Sequence, residues 1–221
     1  MQNILVPIQE IIPALNLDEL ASLEEISRDT KGILRERNLA RENILASDST
    51  NTREFVWELL HYTDYRKEAM KNLKDQVVID LGAGPRATGY ALAVLSEARA
   101  YVGVEPFNYF RLYKGLIAGE QRNDKDYCQL YVDKKDIPAS LVTDDMLTFL
   151  RRLPKESSGC LLTSGIDRII SLDEYRKLVE VEIGRVLSPD RKYLAWKSAF
   201  NPLGLRKQVI HENLFSVFTK T

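Results

Sequence analysis

After Gln76 the sequence alternates between short β-branched or apolar runs and stretches of helical periodicity, and no other feature limits the fold as strongly. Val77 to Leu81 reads as a strand, Ala87 to Glu97 as a helix, Ala100 to Glu105 as a strand and Phe107 to Gly119 as a helix. Ala139 to Asp144 and Gly159 to Gly165 read as strands, with helices at Met146 to Leu153 and Leu172 to Leu187. Arg191 to Trp196 is a fifth strand, and Asn213 to Thr221 closes the chain as a sixth. Strands alternating with helices of about ten residues predict an α/β fold with a doubly wound, mainly parallel sheet. Residues 121–138 fit no element of this pattern.

Before Gln76 the texture is helical. Asn16 and Glu19 have the spacing of a capping box, and Leu17, Leu20, Leu23 and Ile26 follow at helical intervals. A second helix is predicted over Thr30 to Ala46, a polar loop at Ser47 to Thr52, and one or two further helices ending by Lys74. The chain therefore divides into a helical N-terminal extension, residues 1–75, and an α/β unit, residues 76–221.

The first strand of that unit runs into a glycine turn, VVIDLGAGPRATG. Gly82 permits a tight turn, and Gly84 lets the backbone approach a ligand with no Cβ in the way. In an open parallel sheet, ligands bind beyond the carboxyl ends of the strands, where this turn falls. A phosphate-cradling P-loop is excluded, since no Gly-Lys-Ser/Thr string follows Gly82 at the required spacing. Gly82, Gly84 and Ala87 do satisfy a loose dinucleotide pattern, and Glu105 lies 21 residues beyond Gly84, where a ribose-binding acid is expected.

Three features oppose a pyrophosphate. Asp80 ends the strand two residues before Gly82, and its carboxylate repels phosphate but attracts an ammonium group. Pro85 removes a backbone donor from the turn. Asp144 and Asp145 add acids at the end of the third strand. Such a rim suits a cationic ligand bearing hydroxyls and amines.

The formal net charge of −1 supplies no global field for nucleic acid or an anionic membrane. The two cysteines, Cys128 and Cys160, have neither disulfide-framework nor zinc-site spacing. The N-terminus is apolar but carries Glu10 and two prolines and lacks a basic start, so it does not read as a signal peptide. No apolar run approaches the roughly 18 to 20 residues that span a bilayer. A cytoplasmic setting without a membrane or nucleic-acid partner is the expectation.

VVIDLGAGPRATGYALA resembles motif I of the class I S-adenosylmethionine-dependent methyltransferases. YVGVEPF is similar to their second motif, LVTDDMLTFLRRLP to their third-strand segment, and NLFSVFTKT to their seventh, antiparallel strand. The resemblance runs from about Gln76 to Thr221, with one departure: Arg86 stands where many members have a third glycine. It implies a seven-stranded Rossmann-like sheet, mainly parallel with the last strand antiparallel, and S-adenosylmethionine as cofactor.

It also implies roles by position. Asp80, with the backbone of Gly82, Ala83 and Gly84, meets the methionine part of the cofactor, the carboxylate acting on its ammonium group directly or through water. Glu105, followed by Pro106, accepts from both ribose hydroxyls. Asp144 or Asp145 bonds the adenine amine, with Met146 against the ring. The two acids compete, because one of them caps the helix starting at Met146; the expectation is Asp144 as cap and Asp145 as adenine contact. Ser164 and Gly165 lie under the reactive methyl group. Arg86 is placed to neutralise the cofactor carboxylate.

Candidates on the acceptor side are Asp167, Tyr62 and His61. Asp167 reads more readily as a surface acid beside Arg168, and Trp57, Tyr62 and Tyr65 also fit ordinary helix packing, Trp57 most of all. TSGIDR after the fourth strand lacks the Pro-Pro-aromatic motif of base and amide N-methyltransferases, and no ordered acid set calls for a metal. A small-molecule acceptor remains, by elimination. The N-terminal helices are where such enzymes carry a substrate lid or a contact between two copies. Two other readings stand beside this one: a non-catalytic module of the same fold that binds a partner protein, and a nicotinamide-dependent oxidoreductase.

Overall fold

The computed structural model describes residues 6–15, 63–83, 88–105, 137–164, 173–198, 200–212 and 214–221. Among these residues twelve elements follow in chain order: α1 (Ile8–Ile11), α2 (Thr63–Leu73), β1 (Val77–Leu81), α3 (Thr88–Leu95), β2 (Ala100–Val104), β3 (Ala139–Val142), α4 (Met146–Arg152), β4 (Ser158–Ser164), α5 (Asp173–Val186), β5 (Leu187–Trp196), β6 (Leu205–His211) and β7 (Phe215–Lys220). The expected helices within 16–62 and 107–119, and the unassigned 121–138, lie outside the described residues.

The strands form one seven-stranded sheet in the order β3-β2-β1-β4-β5-β7-β6. β1 to β5 are parallel, and β7 runs antiparallel to both β5 and β6. This is the mainly parallel, doubly wound sheet that the alternation predicts, with its last strand reversed. The order changes direction at β1, which has β2 on one side and β4 on the other, so the carboxyl end of β1 is the switch point where such sheets hold ligands.

One strand escaped the sequence pattern. LRKQVIH forms β6, the outer edge strand, and most of it is exposed. An edge strand open to water needs no apolar run, and its Arg206 and Lys207 are residues that discourage further pairing. β1 and β2, by contrast, are buried along their whole length, as central strands covered on both faces must be.

Two cores follow from the strand pleat. Val78, Tyr101, Cys160, Leu162 and Leu194 point to one face and pack with Ala69 and Leu73 of α2 and Tyr90, Leu92 and Ala93 of α3. Ile79, Leu81, Val102, Leu161 and Tyr193 point to the other and meet Leu147 and Leu150 of α4 and Val179 and Ile183 of α5. The N-terminal segment is tied on by Val6, whose N–H donates to the Ala139 carbonyl at 2.9 Å, while Ile8, Ile11 and Ile12 pack against the second core.

Candidate functional site at the carboxyl edge of the sheet

The rim is built by backbone hydrogen bonds that carry each strand end to its neighbour. Gly82 and Ala83 both donate to the Val104 carbonyl, at 2.9 and 3.0 Å. Gly82 takes φ of 71°, a left-handed conformation that suits glycine and turns the chain sharply out of β1. The Glu105 N–H donates to Val142 and the Asp144 N–H to Glu105. Asp80, Gly82, Ala83, Glu105, Asp144 and Asp145 thus stand along one rim, with Ser164 half-buried at the end of β4. Gly84, Pro106, Gly165, Asp167, His61 and Tyr62 lie outside the described residues.

Asp80 is 1 % exposed. The Tyr101 hydroxyl donates to its Oδ2 at 2.8 Å, whereas Oδ1 is buried without a hydrogen-bond partner. Burial pushes this carboxyl from 3.8 up to about 7; the Tyr101 hydrogen bond opposes the rise and the Glu105 charge adds to it.

Two glycines make room for the pair. A Cβ on Gly89 of α3 would lie 2.0 Å from Asp80 Oδ2, so no other residue fits there with Asp80 in place. A Cβ on Gly103, the register partner of Asp80, would lie 3.1 Å from the Tyr101 ring and hydroxyl. Tyr90 braces Tyr101 edge-on at 5.6 Å between ring centroids. Tyr101, Gly89 and Gly103 escaped the sequence reading. The available signal was parity: Tyr101 and Gly103 share a face of β2, and the parallel pairing places that face beside Asp80.

The aspartates at the end of β3 correct one expectation. Asp145, not Asp144, caps α4. Its side chain accepts from the Leu147 and Thr148 N–H groups, and it also receives the Thr148 and Tyr175 hydroxyls. The physical reason is positional: in a helix beginning at Met146 the residue immediately before it is the one whose side chain reaches the free N–H groups of the first turn. Both oxygens of Asp145 are engaged by these donors. Asp144 forms a buried ion pair with Arg152 at 3.0 Å and accepts from the Asp145 N–H at the same distance. Met146 is buried in the second core.

Sheet and rim together define a doubly wound, Rossmann-like α/β fold, the one implied by the resemblance to class I methyltransferases. No family model matches the sequence, and no curated protein matches it. Among solved structures the chain is similar to the YcgJ protein of Bacillus subtilis, at 16% identity over 61% of this chain and 50% of that one, with a TM-score of 0.43. It is also similar to a TehB-like S-adenosylmethionine-dependent methyltransferase of Corynebacterium glutamicum, at 13% identity over 85% and 98% of the two chains, TM-score 0.47. A third is the Haemonchus contortus phosphoethanolamine N-methyltransferase 1, solved with phosphoethanolamine and S-adenosylhomocysteine, at 15% identity over 68% and 29%, TM-score 0.39. The chain thus spans about half the length of the first of these.

Proposed function

We propose that the chain is an S-adenosylmethionine-dependent methyltransferase acting on a small-molecule acceptor. One observation carries the reading: a buried carboxylate beside a glycine turn at the switch point, with one oxygen lacking a partner. An unpaired buried acceptor is costly unless a ligand satisfies it. A cation donating a hydrogen bond satisfies both its charge and its lone pairs, and an α-ammonium group has that chemistry. Inorganic phosphate and pyrophosphate do not.

Asp80 and the Gly82–Ala83–Gly84 backbone would hold the amino-acid end of the cofactor. Glu105, followed by Pro106, would take the ribose hydroxyls. Met146 and the peptide groups of Asp144 and Asp145 would border the adenine, while Ser164 and Gly165 would lie below the transferred group. When bound, the cofactor supplies an electrophilic methyl on a sulfonium. The chain's own work is then to align the acceptor and exclude water. A general base is needed only for an acceptor that arrives protonated; Asp167, His61 and Tyr62 are the residues to test for it. The N-terminal residues 1–75 are the region we assign to covering the acceptor or joining two copies.

Isothermal titration with S-adenosylmethionine, S-adenosylhomocysteine and NADH tests the pocket. Binding of both adenosyl ligands, weakened at least tenfold in Asp80→Asn, is the expected result. Silence toward both, or binding of NADH alone, would overturn it. Adenosyl-ligand binding without turnover in an acceptor screen would favour the non-catalytic module.

A further inference from the structure

At the opposite, amino-terminal end of the sheet lies a cavity of ≈ 410 Å³ that none of the chemistry above uses. It opens where β1, β4 and β5 begin, beside Arg99 just before β2. Its wall on the sheet is apolar, formed by Val77 and Ile79, and Ile11 and Ile12 of the N-terminal segment close over it with Leu153. Gly159 leaves that wall without a side chain; a Cβ there would come within 3.0 Å of Gln76 Oε1.

The mouth is polar and cationic. Arg99 precedes β2 and Arg191 lies in β5, and both line the cavity. Several arginines of the described residues are engaged: Arg151 with Glu182, Arg152 with Asp144, Arg176 with Asp173, Arg185 with Glu182 and with two backbone carbonyls, while Arg206 of β6, on the far edge of the sheet, makes no ion pair among those residues. Arg99 and Arg191 make no ion pair among the described residues. Among the described residues, Asp75 is the one acid in the lining, against these two cations.

A second observation points inward. Ser158 lines the cavity at 2 % exposure, and its Oγ is a buried hydroxyl with no hydrogen-bond partner. Buried hydroxyls are ordinarily satisfied, and this one belongs to the lining of the cavity with its donor uncommitted.

We propose that this cavity is a second binding site, for a small amphiphile with an apolar body and an anionic head, carboxylate or phosphate. The apolar wall takes the body. The Ser158 hydroxyl donates to a head-group oxygen. Arg99 and Arg191 supply the planar, permanently charged donors that suit either oxyanion. The volume falls in the range of small-molecule sites. The site stands on residues distinct from the cofactor rim and holds whether or not the methyltransferase reading does.

Titration calorimetry of the full chain with octanoate, octyl phosphate and octylamine tests it, on wild type, Arg99→Gln/Arg191→Gln and Ser158→Ala. At least one of the two anions binds, octylamine does not, and the double variant loses at least tenfold in affinity with an unchanged melting temperature. Whichever anion binds more tightly identifies the head group. Ser158→Ala binds several-fold more weakly yet melts no lower than wild type, because its hydroxyl has no partner to lose. Failure of both anions to bind, equal binding of octylamine, or full affinity in the double variant overturns the proposal. So does a lowered melting temperature in Ser158→Ala, which would mean that its hydroxyl already has a structural partner.

Discussion

Asp80 shows how one side chain can be both a structural burden and a functional asset. Its carboxyl is raised from 3.8 to about 7 by burial. Between pH 4 and 7 the folded chain therefore keeps a proton that the unfolded chain has released. Stability falls as pH rises across that window and levels off above 7, the loss being on the order of 4 kcal/mol at about 1.4 kcal/mol per unit. Asp80→Asn removes the titration. Urea unfolding at pH 5 and pH 8 should show the variant losing less stability between the two than wild type does, and equal losses would sink the assignment. The same titration governs the proposed ligand: an ammonium group needs the charged carboxylate, so adenosyl-ligand affinity rises with pH up to about 7 and falls again once the ligand's own α-ammonium group releases its proton, at about pH 8. Below pH 7 each binding event releases a proton, which calorimetry in buffers of different ionisation enthalpy detects. Tyr101→Phe removes the donor to Oδ2, lifts the Asp80 carboxyl further and moves that pH midpoint upward.

At the scale of elements, the distance between β1 and α3 is set by what lies between them. Gly89→Ala drives a methyl into Asp80 Oδ2 and should cost about 1–3 kcal/mol, the usual range for overpacking. If the clash is with that carboxylate, Asp80→Ala in the same chain recovers most of the loss. A double variant as unstable as the sum of the two singles would place the strain elsewhere. α4 offers a parallel test at its cap, where Asp145→Ala should cost about 1–2 kcal/mol in urea unfolding and Asp144→Asn should leave the cap intact. These elements also show what the sequence makes legible. β1 and β2 are buried on both faces, and such strands announce themselves as near-continuous apolar runs, broken in β1 only by Asp80. Asp80, Gly82 and Glu105 were readable as rim residues because each stands at a strand end, where the fold class alone sets the location. β6 was not readable, because an exposed edge strand carries no hydrophobic period. The partners of Asp80 were hidden for a different reason. Tyr101, Gly103 and Gly89 reach it across strand pairing and helix packing, and a linear sequence does not display register.

Over the whole molecule, the sheet separates two ends that differ in chemistry. The carboxyl end gathers acids around a left-handed glycine, whereas the amino end gathers two arginines and a buried hydroxyl over an apolar wall. β1 runs through both, with Val77 lining the cavity and Asp80 at the rim, so its five residues connect the proposed sites. Hydrogen exchange of backbone amides distinguishes them in one experiment. Without ligand, exchange should be slowest in β1, β2 and β4 at the buried centre of the sheet and fastest in β6, whose residues are mostly exposed. S-adenosylhomocysteine should then slow the amides of Gly82, Ala83 and Glu105 and leave those of Ser158 and Gly159 unaffected. Octanoate or octyl phosphate, whichever binds, should do the reverse. A ligand that slows both ends equally would mean that the sheet responds as one unit and that β1 couples the two pockets. Protection confined to one end for each ligand would establish two separate sites on opposite edges of one rigid sheet.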